Sequence, residues 1–220
     1  MLLVVKFLSL TFSALLPVIN PLGSALIFLS LVGMEPDDVF RKLSRRVALA
    51  SAFFLIAVDL GGAAFLAFFG ISLPIVQLAG GFALAAMGWK LLNKEDVPED
   101  GQVSTPTRKP GSLEELVFYP LTFPLTVGPG CIVVMLTLSA QASKARFAEE
   151  LLSQAGMIAG IVALSLVVFL SYAYSEKITQ KVTRQTAHGV LRVIAFILLC
   201  IGAQIAWNGL EALVRGMGKA

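Results

Sequence analysis

The sequence predicts an all-α membrane protein of six transmembrane helices, arranged as two inverted three-helix repeats in which the first helix of each is broken at a Pro/Gly motif. Three observations carry this. The 220-residue chain is 57% hydrophobic and 14% charged, with a mean hydropathy of +0.84, a balance that a single buried core of this size cannot absorb. Its apolar residues gather into six stretches long enough to cross a bilayer, near 2–33, 47–69, 72–92, 116–140, 152–173 and 190–214. Each half of the chain also opens on a proline-interrupted stretch.

Charge follows the same division. Within the six stretches only Lys6, Asp59, Lys90, Arg192 and Glu211 are charged, so 26 of the 31 formal charges lie outside them. This excludes a disordered chain. Cys131 and Cys200 are the only thiols and both sit in apolar runs, which excludes a disulfide-stapled secreted domain. The net charge of +3 is spread over short loops with no basic stripe, so nucleic acid is not an expected partner.

The first stretch is expected to remain as a span. No basic run precedes Leu2–Val5, the apolar character continues past thirty residues, and no small-residue cleavage site follows. Residues 93–115 hold Pro98, Gly101, Pro106, Pro110 and Gly111 among charges. They read as a flexible cytoplasmic linker between a first repeat, 1–92, and a second, 116–220. Twelve Lys and Arg fall on one side of the spans, among them Arg41, Arg46, Lys109 and Lys177, against Lys6, Lys144, Arg146, Arg215 and Lys219 on the other. The imbalance predicts a multi-pass membrane protein with both termini outside the cytoplasm.

Three spans is an odd number, so a second three-span unit enters the membrane from the opposite face. The unit heads correspond: Pro17 to Gly23 includes Asn20-Pro21, and Pro124 to Gly130 includes Gly128-Pro129. Both interruptions fall near the middle of their stretches, at bilayer-midplane depth. Pro17 and Pro21 free the carbonyls of Ser13 and Pro17, and Pro124 and Pro129 those of Pro120 and Leu125. Unpaired backbone in hydrocarbon costs several kcal/mol per group and so calls for protein, water, substrate or an ion. Asn20-Pro21 is a good N-cap and N1 pair, and Gly128-Pro129 an acceptable one, so each break can start a half-helix whose N-terminus suits an anion. The expected substrate-binding residues are therefore Asn20, Pro21, Gly23 and Ser24 in one half and Gly128, Pro129, Gly130 and Cys131 in the other, with free N–H groups at Gly23, Ser24, Gly130 and Cys131. Ordinary proline kinks with glycine for close packing are the competing reading.

Asp59 lies at the centre of the second span, where a carboxylate costs roughly 3 kcal/mol. It reads either as a coupling site for a proton or sodium ion or as one interhelical hydrogen bond. Gln77, Gln204 and Asn208 read as cavity lining or as glue between helices. Lys6, Lys90, Arg192 and Glu211 are close enough to span ends to snorkel, and His188, the only histidine, sits at the loop edge before the sixth span. No metal-ligand cluster, phosphate loop or nucleophile-base pair is present, so neither an enzyme nor a cofactor is expected.

The landmarks Asn20-Pro21, Phe69-Gly70-Ile71-Ser72, Ala79-Gly80-Gly81, Tyr119-Pro120-Leu121, Pro124 through Gly130, and Gly202-x-Gln204 with Asn208-Gly209 are similar, over essentially the whole chain, to those of the MarC family of six-span membrane proteins. The resemblance implies an inner-membrane transporter of small neutral amino acids such as glycine and alanine, without a cofactor. Two positions depart from the family pattern: Gln77 stands where members often carry Arg, and Cys131 where small or hydroxyl residues are usual. Two other classes stay open, a transmembrane thiol electron carrier and a passive channel or membrane scaffold. The first needs a thiol in each half at matching depth, whereas Cys131 borders the second break and the first has Leu22-Gly23-Ser24.

Overall fold

A computed structural model describes residues 1–33, 35–93, 114–142, 147–181 and 184–217, and every regular element among them is helical. In chain order these are α1 (Leu2–Ile19), α2 (Pro21–Val32), α3 (Asp37–Phe68), α4 (Leu73–Leu92), a wide-turn segment (Val117–Thr126), α5 (Pro129–Ala142), α6 (Phe147–Ala173), α7 (Ser175–Lys181) and α8 (Arg184–Met217). Five of them, α1, α3, α4, α6 and α8, are long and apolar enough to cross a bilayer. The wide-turn segment and α5, bent by 63°, make a sixth span when taken together. Apart from Asn93, Glu114 and Glu115, the expected linker lies outside the described residues.

Helix ends follow local chemistry. α3 begins ten residues before its apolar stretch because Asp37 and Asp38 occupy its first turn, where the helix dipole favours acids, and because Phe40 and Leu43 are already buried. Gly70, at φ 67°, makes the left-handed turn that sends the chain from α3 back into α4. The last long helix starts earlier than expected, at Arg184, so His188 is on α8 rather than at a loop edge.

α6 runs against both α1 and α3, and α4 pairs with α8. Small residues permit this closeness. A Cβ on Gly156 would stand 2.5 Å from the Val4 carbonyl oxygen, and one on Gly160 would stand 2.9 Å from that of Leu8. In the α4–α8 pair, Gly81 faces the backbone of Ala206 and Gly202, Gly88 that of Leu199 and Ala195, and Gly209 that of Leu78 and Pro74. The α8 numbers fall as the α4 numbers rise, so the two helices are antiparallel. In hydrocarbon, such backbone contact replaces the hydrophobic effect as the source of helix association.

Exposed ion pairs tie three segment ends together. Glu114 lies 2.6 Å from Arg46 and 3.7 Å from Lys42, while Lys177 lies 3.6 Å from Asp37. The charge count assigns all of these segments to one side of the membrane. Each pair contributes no more than about 1 kcal/mol, so they report proximity rather than stability.

Candidate functional site

The first break is a single residue wide. Asn20 is left-handed (φ 46°, ψ 65°), a conformation that asparagine tolerates better than most side chains. It ends α1 and caps α2: its Oδ1 accepts the Gly23 N–H at 3.2 Å, and Pro21 takes the first helical position. The Ser24 N–H donates to the Asn20 carbonyl at 2.9 Å. The Ser24 hydroxyl donates to the Ile19 carbonyl at 2.8 Å and satisfies a backbone group left over at the break.

The second break is longer. Tyr119 and Phe123 are extended, as the residue before a proline prefers, so the chain from Val117 to Thr126 advances in wide turns rather than as a regular helix. Its carbonyls are also stapled by hydroxyls five residues on: Thr122 donates to Val117 and Thr126 to Leu121, each at 2.6 Å. Val127 is extended, and α5 starts at Pro129. The Gly128 carbonyl accepts the Cys131 N–H at 3.0 Å.

The two breaks adjoin. A Cβ on Gly130 would stand 3.1 Å from Val18 Cγ1 at the end of α1, and it would collide with Leu84 Cδ2 of α4. On the other flank Tyr172 of α6, 0% exposed, stacks on Phe28 of α2 with ring centroids 4.6 Å apart. Its hydroxyl lies 2.8 Å from Thr126 Oγ1. Since the Thr126 hydroxyl proton goes to Leu121, the tyrosine is the donor. One buried tyrosine thus links the segment after the first break, by its ring, to the segment before the second, by its hydroxyl.

Of the residues predicted for the site, Pro21, Ser24, Gly130 and Cys131 are buried, Asn20, Gly23 and Gly128 partly so, and Pro129 is exposed. The expected free N–H groups need correction at three positions. Gly23, Ser24 and Cys131 spend theirs on Asn20 Oδ1, the Asn20 carbonyl and the Gly128 carbonyl, because the first turn of each half-helix closes on its own cap. Tyr172, Thr122 and Thr126 were not expected. The signal for the threonines is a tandem four-residue pattern, Tyr119-Pro120-Leu121-Thr122 then Phe123-Pro124-Leu125-Thr126. Tyr172 has no local signal, since its partner is 46 residues away.

The remaining candidates stand apart. Asp59 is buried where α3, α5 and α6 meet, accepts a 2.6 Å hydrogen bond from Gln154 Nε2 at Oδ2, and lends its backbone carbonyl to Ser139 Oγ at 3.0 Å. Gln77 Nε2 reaches Thr137 Oγ1 at 3.4 Å and joins α4 to α5. Gln204 and Asn208 bond each other along α8 at 2.9 Å rather than lining a cavity between helices. Lys6, Lys90, Arg192 and Glu211 are exposed. Among the described residues no group of three or more His, Cys, Asp or Glu could hold a metal ion.

Described residues that are helical throughout their regular elements, with five apolar spans, a bent sixth and a short apolar helix α2 joined to α1 at Asn20, make a polytopic integral membrane protein. A model of the MarC family of integral membrane proteins matches residues 5–214, and the chain belongs to that family. The inner membrane protein MarC of Escherichia coli K12 is 26% identical over 218 residues, 96% of each chain, and that of Escherichia coli O1:K1 gives the same figures. These relatives are inner membrane proteins, in keeping with the apolar spans here. No solved structure matches the chain.

Proposed function

We propose that this protein is a secondary transporter of small neutral amino acids, with substrate held where the two broken spans adjoin. The observation that carries the reading is the meeting of the breaks at Gly130, Val18 and Leu84, bridged by Tyr172 between Phe28 and Thr126. Hydroxyls and break-point backbone are polar groups of the kind that can hold a zwitterion within a membrane, and the glycine at position 130 keeps the meeting point of the breaks narrow, in keeping with a small substrate. The site residues are closely packed, so substrate enters by movement at the one-residue hinge of Asn20 and at Val127-Gly128.

The inverted repeat belongs to this proposal. In its support, the third spans of the two halves carry glycines at the same seven-residue spacing, Gly81 and Gly88 against Gly202 and Gly209, and pack antiparallel. Both halves also staple the carbonyls at their breaks with a hydroxyl five residues on. The orientation with both termini outside the cytoplasm rests on the Lys and Arg imbalance. Against a thiol electron carrier stands the unequal placing of the cysteines, Cys131 buried in α5 and Cys200 exposed on α8.

Purified protein in liposomes, offered labelled glycine, alanine, serine and lysine under separately imposed proton and sodium gradients, tests the reading. Concentrative uptake of glycine or alanine, retained in a Cys131→Ser, Cys200→Ser double variant, is the expected result. Uptake that only equilibrates indicates a channel and overturns it.

A further inference from the structure

We infer that a cleft between α3, α5 and α6, separate from the breaks, binds a protonated primary amine. The cleft has a volume of about 320 Å³, and its polar lining is Asp59, Ser139, Glu150 and Gln154. Asp59 is only 4% exposed, and while Oδ2 is held by Gln154, Oδ1 has no hydrogen-bond partner. A buried carboxylate oxygen left unpaired is costly, so the site calls for a donor. Glu150 adds a second carboxylate to the same wall, which makes the donor a cation.

The size and lining of the cleft favour an organic ammonium over a bare ion. Gln154 turns its amide N–H, not its carbonyl, toward the Asp59 carboxylate. Oδ1 is left as the carboxylate oxygen that lacks a donor. The lining also includes Leu60 and Leu151, and the volume far exceeds that of a bare ion, so the cation carries a hydrocarbon part. Ser139 lies nine residues beyond Gly130 on α5, about 14 Å along the helix, so this site does not depend on the transport reading.

Either a free alkylamine or the amino group of an amino acid could supply the ammonium, and competition distinguishes them. The full chain in detergent is dialysed to equilibrium against labelled n-propylamine, with unlabelled propylamine, glycine or sodium chloride as competitor. Saturable binding of one propylamine per chain is expected, weakened by about tenfold or more in Asp59→Asn, the size of one charge-assisted hydrogen bond. Glu150→Gln, on the partly exposed rim, weakens it several-fold and carries the test if Asp59→Asn is not monodisperse. Displacement by glycine assigns the site to amino acids, and displacement by propylamine alone assigns it to free amines. Absence of saturable binding, binding unchanged in the variants, or displacement by sodium as effective as by propylamine overturns the proposal.

Discussion

Asn20 does two things that few residue types combine: it adopts a left-handed backbone and it caps the helix that follows. Replacement separates the two. Asn20→Gly keeps the backbone conformation and loses only the cap, so it costs a few tenths of a kcal/mol, whereas Asn20→Ala loses both and costs about 2 kcal/mol. Thermal unfolding in detergent should show a clearly lower midpoint for the alanine variant only. Tyr172→Phe keeps the stack on Phe28 but withdraws the proton given to Thr126, a loss of about 1 kcal/mol. If the bridge positions the breaks, this variant also slows glycine uptake at matched protein insertion; unchanged uptake would leave Tyr172 a packing residue. Asn20 was legible because capping and proline placement are local rules. Tyr172 was not, because nothing near it in sequence says that its hydroxyl meets Thr126.

At the scale of elements, spacing was readable and partners were not. Gly81, Gly88, Gly202 and Gly209 announce close helix contact through their sevens, yet only the folded chain pairs α4 with α8. Bulk at that interface meets backbone, which cannot rotate away as a side chain can. Gly202→Leu is therefore expected to destroy the monodisperse peak in size-exclusion chromatography. Gly61→Leu, on a face of α3 where a Cβ meets nothing within 4 Å, leaves the peak intact. Equal behaviour of the two would show that the α4–α8 contact is dispensable. The span expected over 116–140 was the least legible element. Its bend near Gly128 was marked by prolines, but the wide turns before it arise from two extended pre-proline residues, Tyr119 and Phe123, whose joint effect a helix-length count does not register.

At the scale of the whole molecule, six spans were legible because lipid sorts apolar from charged residues so strictly, and five helices with one bent pair now stand in those places. The grouping of the connecting segments was legible too: Arg46 meets Glu114 and Asp37 meets Lys177, as alternation of the spans requires. The meeting of the two breaks was only implied by their matched depth. That meeting is the central claim, and uptake of labelled glycine into liposomes carrying either wild-type protein or Gly128→Leu tests it most directly. Gly128 is the better probe than Gly130, since its Cβ would approach only the Pro124 carbonyl oxygen, at 3.2 Å, while a side chain on Gly130 would strike Leu84. With equal insertion of the two proteins, the account predicts concentrative uptake by the wild type and none above empty liposomes by Gly128→Leu, whereas equal uptake by both would contradict it.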